Sequence, residues 1–202
     1  MQYIIVGLGN PGVEYAGTRH SAGRDLLTRL AKRFGVVEWK ENKSAGALVA
    51  KGEIGVGKNS KKKSEATFVL PELFMNNSGK VVAKFVKSVK AAERLVVLYD
   101  DLDLPLGSMK ISFGRGSGGH RGIESVMRAL KTRDFIRVRI GIAPATPSGK
   151  IRKPSGEKVI DFLMGKFRKP EEEKILKTGK RAGDAVETIV TEGLARAMSE
   201  HN

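Results

Sequence analysis

The chain contains no cysteine and only three histidines in 202 residues. The first absence removes thiol nucleophiles, disulfides and cysteine metal sites together, and it suits a reducing compartment. The second leaves imidazole chemistry to His20 or His120, because His201 lies in the terminal tail. No apolar run approaches the roughly 18 residues of a membrane-spanning helix. Met1 leads straight into a strand pattern and a glycine turn, so no secretory leader is expected. No serine stands in G-x-S-x-G, no H-E-x-x-H occurs, and Asp100, Asp101 and Asp103 have no histidine close to them in sequence. Serine-hydrolase and zinc-protease chemistry are therefore not expected. Aromatic residues make up only 6%, and no basic helix carries a broad aromatic face, which argues against a membrane-surface protein.

Positive charge, by contrast, is abundant. Lys and Arg number 37 against 22 acids, a formal charge of +15. Such an excess attracts polyanions at long range, and nucleic acid is the commonest partner of that kind. Clustered lysines between Gly55 and Ser64 read as an exposed hairpin loop, either a solvated charge run or an RNA-contacting arm.

Strand and helix patterns alternate along the chain. Strands are expected at Tyr3–Val6, Gly46–Gly52, Glu65–Leu70, Arg94–Tyr99, Lys110–Phe113 and Phe135–Ile142. Helices are expected after Ser21, over Lys80–Lys90, after His120, and from Pro170 to about Ser199, the last with a bend at Gly179 or Gly183. Ala143–Pro154 is a basic loop, and Lys158–Gly165 a short extended or mixed segment. The pattern predicts a single domain over residues 1–202: a three-layer α/β/α sandwich around a mixed, mostly parallel twisted sheet.

The stretch Ile4–Gly23 organises the rest. Gly7-x-Gly9-x-x-Gly12 after a strand matches a dinucleotide-binding fingerprint. Pro11-Gly12 is a turn signal, however, and the helical period starts only near Ser21, so nicotinamide binding is not expected. His20 stands at a helix start with Ser21 as a plausible N-cap. The positive helix end there disfavours imidazolium, and a neutral imidazole suits a general base. Asp100 ends a strand apolar on both faces, the usual mouth of an open α/β sheet. A carboxylate there can fix one imidazole nitrogen while the other activates water. Asn10 and Asn76 sit at two other loop edges, where their N–H groups can hold a substrate carbonyl or an oxyanion. Each residue also has a bland alternative: a surface histidine, a loop cap, a turn asparagine.

Five segments then carry a resemblance: VGLGNPGVEYAGTRHSAG, LPELFMNNSGK, YDDLDLPLG, GSGGHRG and RVRIGI occur in the order found in the bacterial-type peptidyl-tRNA hydrolase family, and the likeness spans residues 3 to 196. The resemblance implies hydrolysis of the ester joining a peptide to the terminal ribose of tRNA, without metal or cofactor. It implies a general base at His20 with Asp100 as its partner, and substrate-positioning amides at Asn10 and Asn76. Tyr15, Phe74 and Met75 match residues of the peptide groove, which Gly118, Gly119, His120 and Arg121 extend. Arg139 matches a residue that holds the tRNA terminal phosphate. The usual lysine partner falls near Ser112, so Lys110 is expected to substitute, and Lys150 and Lys153 of the basic loop are added as tRNA contacts. A cytoplasmic monomer is expected, with an organellar location as the alternative.

The chain departs from the family pattern at Ser21 and Arg121, both positions where asparagine is usual. Arginine has donors but no acceptor. An unpaired buried charge is costly, so Arg121 is expected to turn outward. The rival reading is a non-catalytic RNA-binding or splicing-related protein on the same fold, motivated by Arg121 and the high charge.

Overall fold

The computed structural model describes residues 2–55, 63–146 and 148–202. The strands are β1 (Tyr3–Gly7), β2 (Lys40–Asn42), β3 (Ala47–Gly55), β4 (Lys63–Pro71), β5 (Leu95–Pro105), β6 (Met109–Phe113) and β7 (Ile136–Ala143). The helices are α1 (Ala22–Arg33), α2 (Ser78–Phe85), α3 (Val89–Ala92), α4 (Arg121–Leu130), α5 (Lys158–Met164), α6 (Lys169–Thr191) and α7 (Leu194–His201). All seven strands form one sheet in the order β2-β3-β4-β1-β5-β7-β6. The central strands β4, β1, β5 and β7 are parallel, while β2, β3 and β6 join by antiparallel pairs at the flanks.

The period of two along each strand sorts the core into two layers. Ile5, Phe68, Val96 and Leu98 face one side and meet Leu26, Leu27 and Leu30 of α1, Val186 and Ile189 of α6, and Ala197 of α7. Val6, Val69, Leu95, Val97 and Tyr99 face the other and meet Val81 and Val82 of α2 with Ile123 and Val126 of α4. Burial of both faces explains why the first residues of β5 are apolar without alternation. The result is the three-layer α/β/α sandwich that the alternating pattern predicts.

Adjacent parallel strands β1 and β4 send their chains to opposite layers, β1 to α1 and β4 to α2. Where connections diverge in this way, a crevice opens at the carboxyl ends of the strands. Asn10 follows β1, Asn76 follows β4, and Asp100 lies in β5 beside them. Close packing brings α1 up to that edge. Gly23, in its first turn, lies so near β5 that a Cβ there would sit 2.2 Å from the Leu98 carbonyl oxygen. Leu8 N–H donates to that same oxygen at 3.0 Å, and Arg24 N–H donates to the Leu8 oxygen at 2.8 Å.

Four details differ from the sequence expectation. Lys158–Met164 is a helix rather than an extended or mixed segment: its seven residues are too few for the period to declare itself, and Val159 and Ile160 favour strands in isolation. The expected Lys80–Lys90 helix is two pieces, α2 and α3, separated where Val86 turns extended. The last helix does not run through to Ser199; it breaks at Gly193, whose φ of 98° is open to glycine but not to a helical residue. The short edge strand β2 was not expected. The lysine-rich loop between β3 and β4 falls largely outside the described residues, although Gly55 pairs antiparallel with Lys63 at its base.

Gly23→Ala is expected to destabilise the protein by about 1–3 kcal/mol through overpacking against β5. Gly116→Ala, where an added Cβ meets nothing within 4 Å, is expected to stay within about 0.5 kcal/mol of the parent. Denaturant unfolding of the two variants against the parent checks both.

Candidate active site

His20 is delivered by a 3-10 turn, Arg19–Ser21, immediately ahead of α1. Thr18 Oγ1 donates to the Tyr15 carbonyl at 2.7 Å and Ser21 N–H to the Thr18 carbonyl at 3.0 Å, which closes the turn. Arg19 fastens it from outside. Its N–H donates to the Gly165 carbonyl at 3.0 Å, and its guanidinium pairs with Glu171 at 2.7 Å and lies 4.5 Å from the Phe162 ring centroid. The expected N-cap bond from Ser21 is absent. With φ −104° and ψ 8°, Ser21 belongs to the tight turn rather than to the extended backbone of a capping residue, and its buried hydroxyl has no partner among the described residues.

The turn presses His20 against Asp100. Nδ1 of His20 lies 3.0 and 3.2 Å from the two carboxylate oxygens. His120 approaches the same carboxylate with Nε2 at 3.1 Å from Oδ1. Asp100 is only 2% exposed, so an ionised carboxyl there needs these donors. The two imidazoles are not equivalent. His120 Nδ1 accepts from Ile123 N–H at 3.2 Å, as the N-cap of α4, so its Nε2 carries the proton and both nitrogens are engaged. His20 donates Nδ1–H to Asp100, and its Nε2 has no partner among the described residues. His20 therefore holds a basic nitrogen toward the cavity, and His120 steadies the carboxylate. The three side chains offer ligand atoms within 4.8 Å of one another, a spacing that a metal ion also accepts. The shared hydrogen bonds account for that spacing here.

The electrostatics correct one expectation. Burial pulls the His20 imidazolium pKa down, but the charge and hydrogen bond of Asp100 outweigh it, so the pKa stands above its ordinary value. Arg121 works in the opposite direction. The contact carboxylate, not the helix dipole, decides the sign, because a charge at hydrogen-bond distance in a buried site outweighs a distributed partial charge. Asp100 is raised by its own burial and lowered further by His20 and His120, so it ionises well below the usual carboxylate range.

A cavity of about 520 Å³ opens over His20, Asp100 and His120. Asn10, Phe74, Met75, Asn76, Gly118, Gly119 and Arg121 all line it. Asn10 Oδ1 accepts from Met75 N–H at 2.8 Å, tying the loop after β1 to the loop after β4 and leaving its amide N–H2 without a described partner. Asn76 Oδ1 accepts from Asn77 at 3.3 Å, which likewise leaves its N–H2 available. Tyr15 stands behind this wall, edge-on to Phe74 with ring centroids 6.1 Å apart. Sequence reasoning missed the wall formed by Val159, Ile160, Leu163 and Met164, because it did not recognise α5 as a helix.

A second cavity, about 260 Å³, lies on the far side of Asp101 and shares Ser117 and Gly118 with the first. Arg139 lines it, with Nε donating to Asp101 at 2.7 Å and its two terminal amino groups without described partners. Arg115 and Arg137 line it too, and both were missed. The signals were an arginine inside the glycine-rich loop, and an arginine two residues before Arg139 on the same strand face. Arg137 is wholly buried, donates to the Gly116 carbonyl at 2.6 Å and stacks 4.6 Å from the Phe135 ring centroid, so it anchors the loop from below. Burial pushes the neighbouring Tyr99 phenol up to about 12, which keeps it neutral. Lys110 is exposed opposite Arg139 in the β6–β7 pair, Lys153 pairs with Asp103, and Lys150 is exposed in its loop.

Nuclear magnetic resonance titration of the imidazoles is expected to place the His20 pKa above the ordinary 6.5. In Asp100→Asn the raising carboxylate is gone while burial and Arg121 remain, so the His20 pKa should fall below 6.5. An unmoved titration in that variant would break the pairing.

Residues 4–202 match the sequence profile of the peptidyl-tRNA hydrolase family. The peptidyl-tRNA hydrolase of Alkaliphilus oremlandii is 39% identical over 201 residues, covering 99% of each chain. That of Mycobacterium marinum is 38% identical, covering 97% of this chain and 95% of its own. The crystal structure of peptidyl-tRNA hydrolase from Acinetobacter baumannii superposes with a TM-score of 0.85 at 29% identity, covering 99% of this chain and 94% of that one. Sequence likeness along the whole chain and a shared backbone agree, and the chain belongs to the peptidyl-tRNA hydrolase family.

Proposed function

We propose that this protein hydrolyses peptidyl-tRNA with His20 as general base. The observation that carries the reading is His20 itself: Nδ1–H on a buried carboxylate and Nε2 without a partner among the described residues, in a cavity edged by two asparagines whose N–H2 groups likewise have no described partner. A water takes position between Nε2 and the ester carbonyl. Nε2 accepts its proton as the oxygen attacks, and Asp100 stabilises the resulting imidazolium. Asn10 and Asn76 donate to the carbonyl oxygen as it gathers negative charge. Collapse breaks the bond to the ribose oxygen, which takes the proton back from His20. The products are a free peptide acid and tRNA with its ribose hydroxyl restored.

The second cavity supports binding of the tRNA terminal phosphate. Arg139 offers two terminal amino groups, and Arg115 adds a further cation in place of the lysine absent at position 112. Lys110, Lys150 and Lys153 extend the basic surface toward the acceptor stem, with Lys153 released from Asp103 where phosphate competes for it. Binding of this kind is salt-sensitive and largely indifferent to sequence. The reading takes the enzyme to act as a cytoplasmic monomer, where translation supplies its substrate. No observation favours the rival reading of a non-catalytic RNA-binding protein.

Turnover of peptidyl-tRNA tests the mechanism. His20→Ala should lose about 100-fold or more in the chemical step with little change in tRNA binding. A base must be neutral to act, so the rate should rise with pH through the elevated His20 pKa. In Asp100→Asn the rate falls, and what remains should titrate at lower pH. Near-parental turnover in His20→Ala would remove the histidine from the reaction. Arg139→Ala should reduce the salt slope of tRNA binding by about one ion; an unchanged slope would take the phosphate elsewhere.

A further inference from the structure

The catalytic cavity carries a charge that the ester chemistry leaves unused. Among its lining residues Arg121 is the one permanent cation, and the only acids are Asp100 and Asp101. Both acids are committed: Asp100 to His20 and His120, Asp101 to Arg139 and to the N–H of Asp103. The nearest acid on the same helix, Glu124, accepts from Ser117 Oγ at 3.1 Å. Arg121 is exposed and forms no ion pair among the described residues. It is close enough to His20 to oppose protonation of the imidazole, so its field reaches the reacting centre.

Apart from these charged groups, the imidazoles, the two asparagines and Ser117, the side chains of the wall are apolar, among them Phe74, Met75, Val159, Ile160, Leu163 and Met164. A surface that pairs one guanidinium with aliphatic side chains suits a group with a hydrocarbon stem and an anionic tip. That describes an acidic amino-acid side chain better than an RNA phosphate, which has no apolar stem. The cations assigned to phosphate lie in the separate cavity beyond Asp101. We propose that Arg121 makes this enzyme selective for peptides that carry an acidic side chain close to the scissile ester, the guanidinium receiving the carboxylate. The proposal rests on the peptidyl-tRNA hydrolase reading above. Because Arg121 is solvent-exposed, the preference should be modest, on the order of threefold, as for an exposed ion pair.

The test uses N-acetylated peptidyl-tRNAs that share one tRNA and one ester-linked residue. They differ by Glu, Gln or Lys at either of the two positions before it. The readout is the ratio of kcat/KM between substrates within one enzyme variant, so a general loss of activity cancels. The parent should prefer Glu over its neutral isostere Gln by about threefold, and Gln over Lys, with the spread shrinking as salt rises. Arg121→Gln should bring the ratios close to one, and Arg121→Glu should reverse their order. Turnover of every substrate with ratios that ignore the charge at position 121 would overturn the proposal alone. Failure to turn over any substrate would overturn the hydrolase reading beneath it. An equal loss on all substrates in Arg121→Gln, with weaker binding of uncharged tRNA, would put the guanidinium on RNA and likewise overturn the proposal.

Discussion

The Asp100 carboxylate, buried to 2% exposure and held by two imidazoles, is the constraint around which the rest of the molecule is arranged. An ionised acid in such a place survives only if donors replace the lost water. Those donors come from distant parts of the chain, so the fold has to bring three elements to one point: the middle of β5, the turn before α1 and the head of α4. Each approach has its own device. Gly23 lets α1 come within contact of the β5 backbone. Gly122, in the first turn of α4, leaves room for the Met75 side chain, whose sulfur would lie 2.5 Å from an added Cβ. Arg19 holds the turn against α5 and α6 by an ion pair and an aromatic face.

The arrangement also sets how strong a base His20 is. Burial alone would leave a weak base, and the carboxylate alone a strong one that is protonated too readily. Here burial and Arg121 both oppose Asp100, and the net shift is upward. General-base catalysis works best with a pKa near the working pH, so a contest of this kind is more useful than any single influence. His120 contributes by occupation. Both of its nitrogens are engaged, one on Asp100 and one on the Ile123 N–H, and it keeps the carboxylate from turning away.

The layers of the fold were legible because hydrophobic periodicity reports burial directly, and burial on both faces left an unmistakable apolar run at Leu95–Leu98. Asp100 was legible for a related reason: a charged residue ending such a run has to be there for chemistry or be satisfied by something. What the sequence could not display was distance across the chain. The pairing of His120 with Asp100 depends on where α4 begins relative to β5, and no local pattern encodes that. α5 was hidden because seven residues give the helical period too little room. The sign of the His20 shift was misjudged because the helix end was weighed by itself: Asp100 was the expected partner, but its contact distance and burial, which let it outweigh the helix end, are seen only in three dimensions.

Two neighbouring acids divide the molecule's work. Successive side chains along a strand point to opposite sides, so Asp100 and Asp101 leave β5 in different directions. Asp100 goes to the imidazoles, and Asp101 goes to Arg139 on the adjacent strand. Asp100 stays ionised although it is buried, because the two imidazoles stabilise its charge. In the proposed reaction the first acid serves the ester and the second aims the guanidinium that receives phosphate. The glycine-rich loop between the cavities, pinned from below by Arg137, borders both. In the proposed reaction, a tRNA end seated on Arg139 lies against Asp101, the neighbour along β5 of the carboxylate that orients the base.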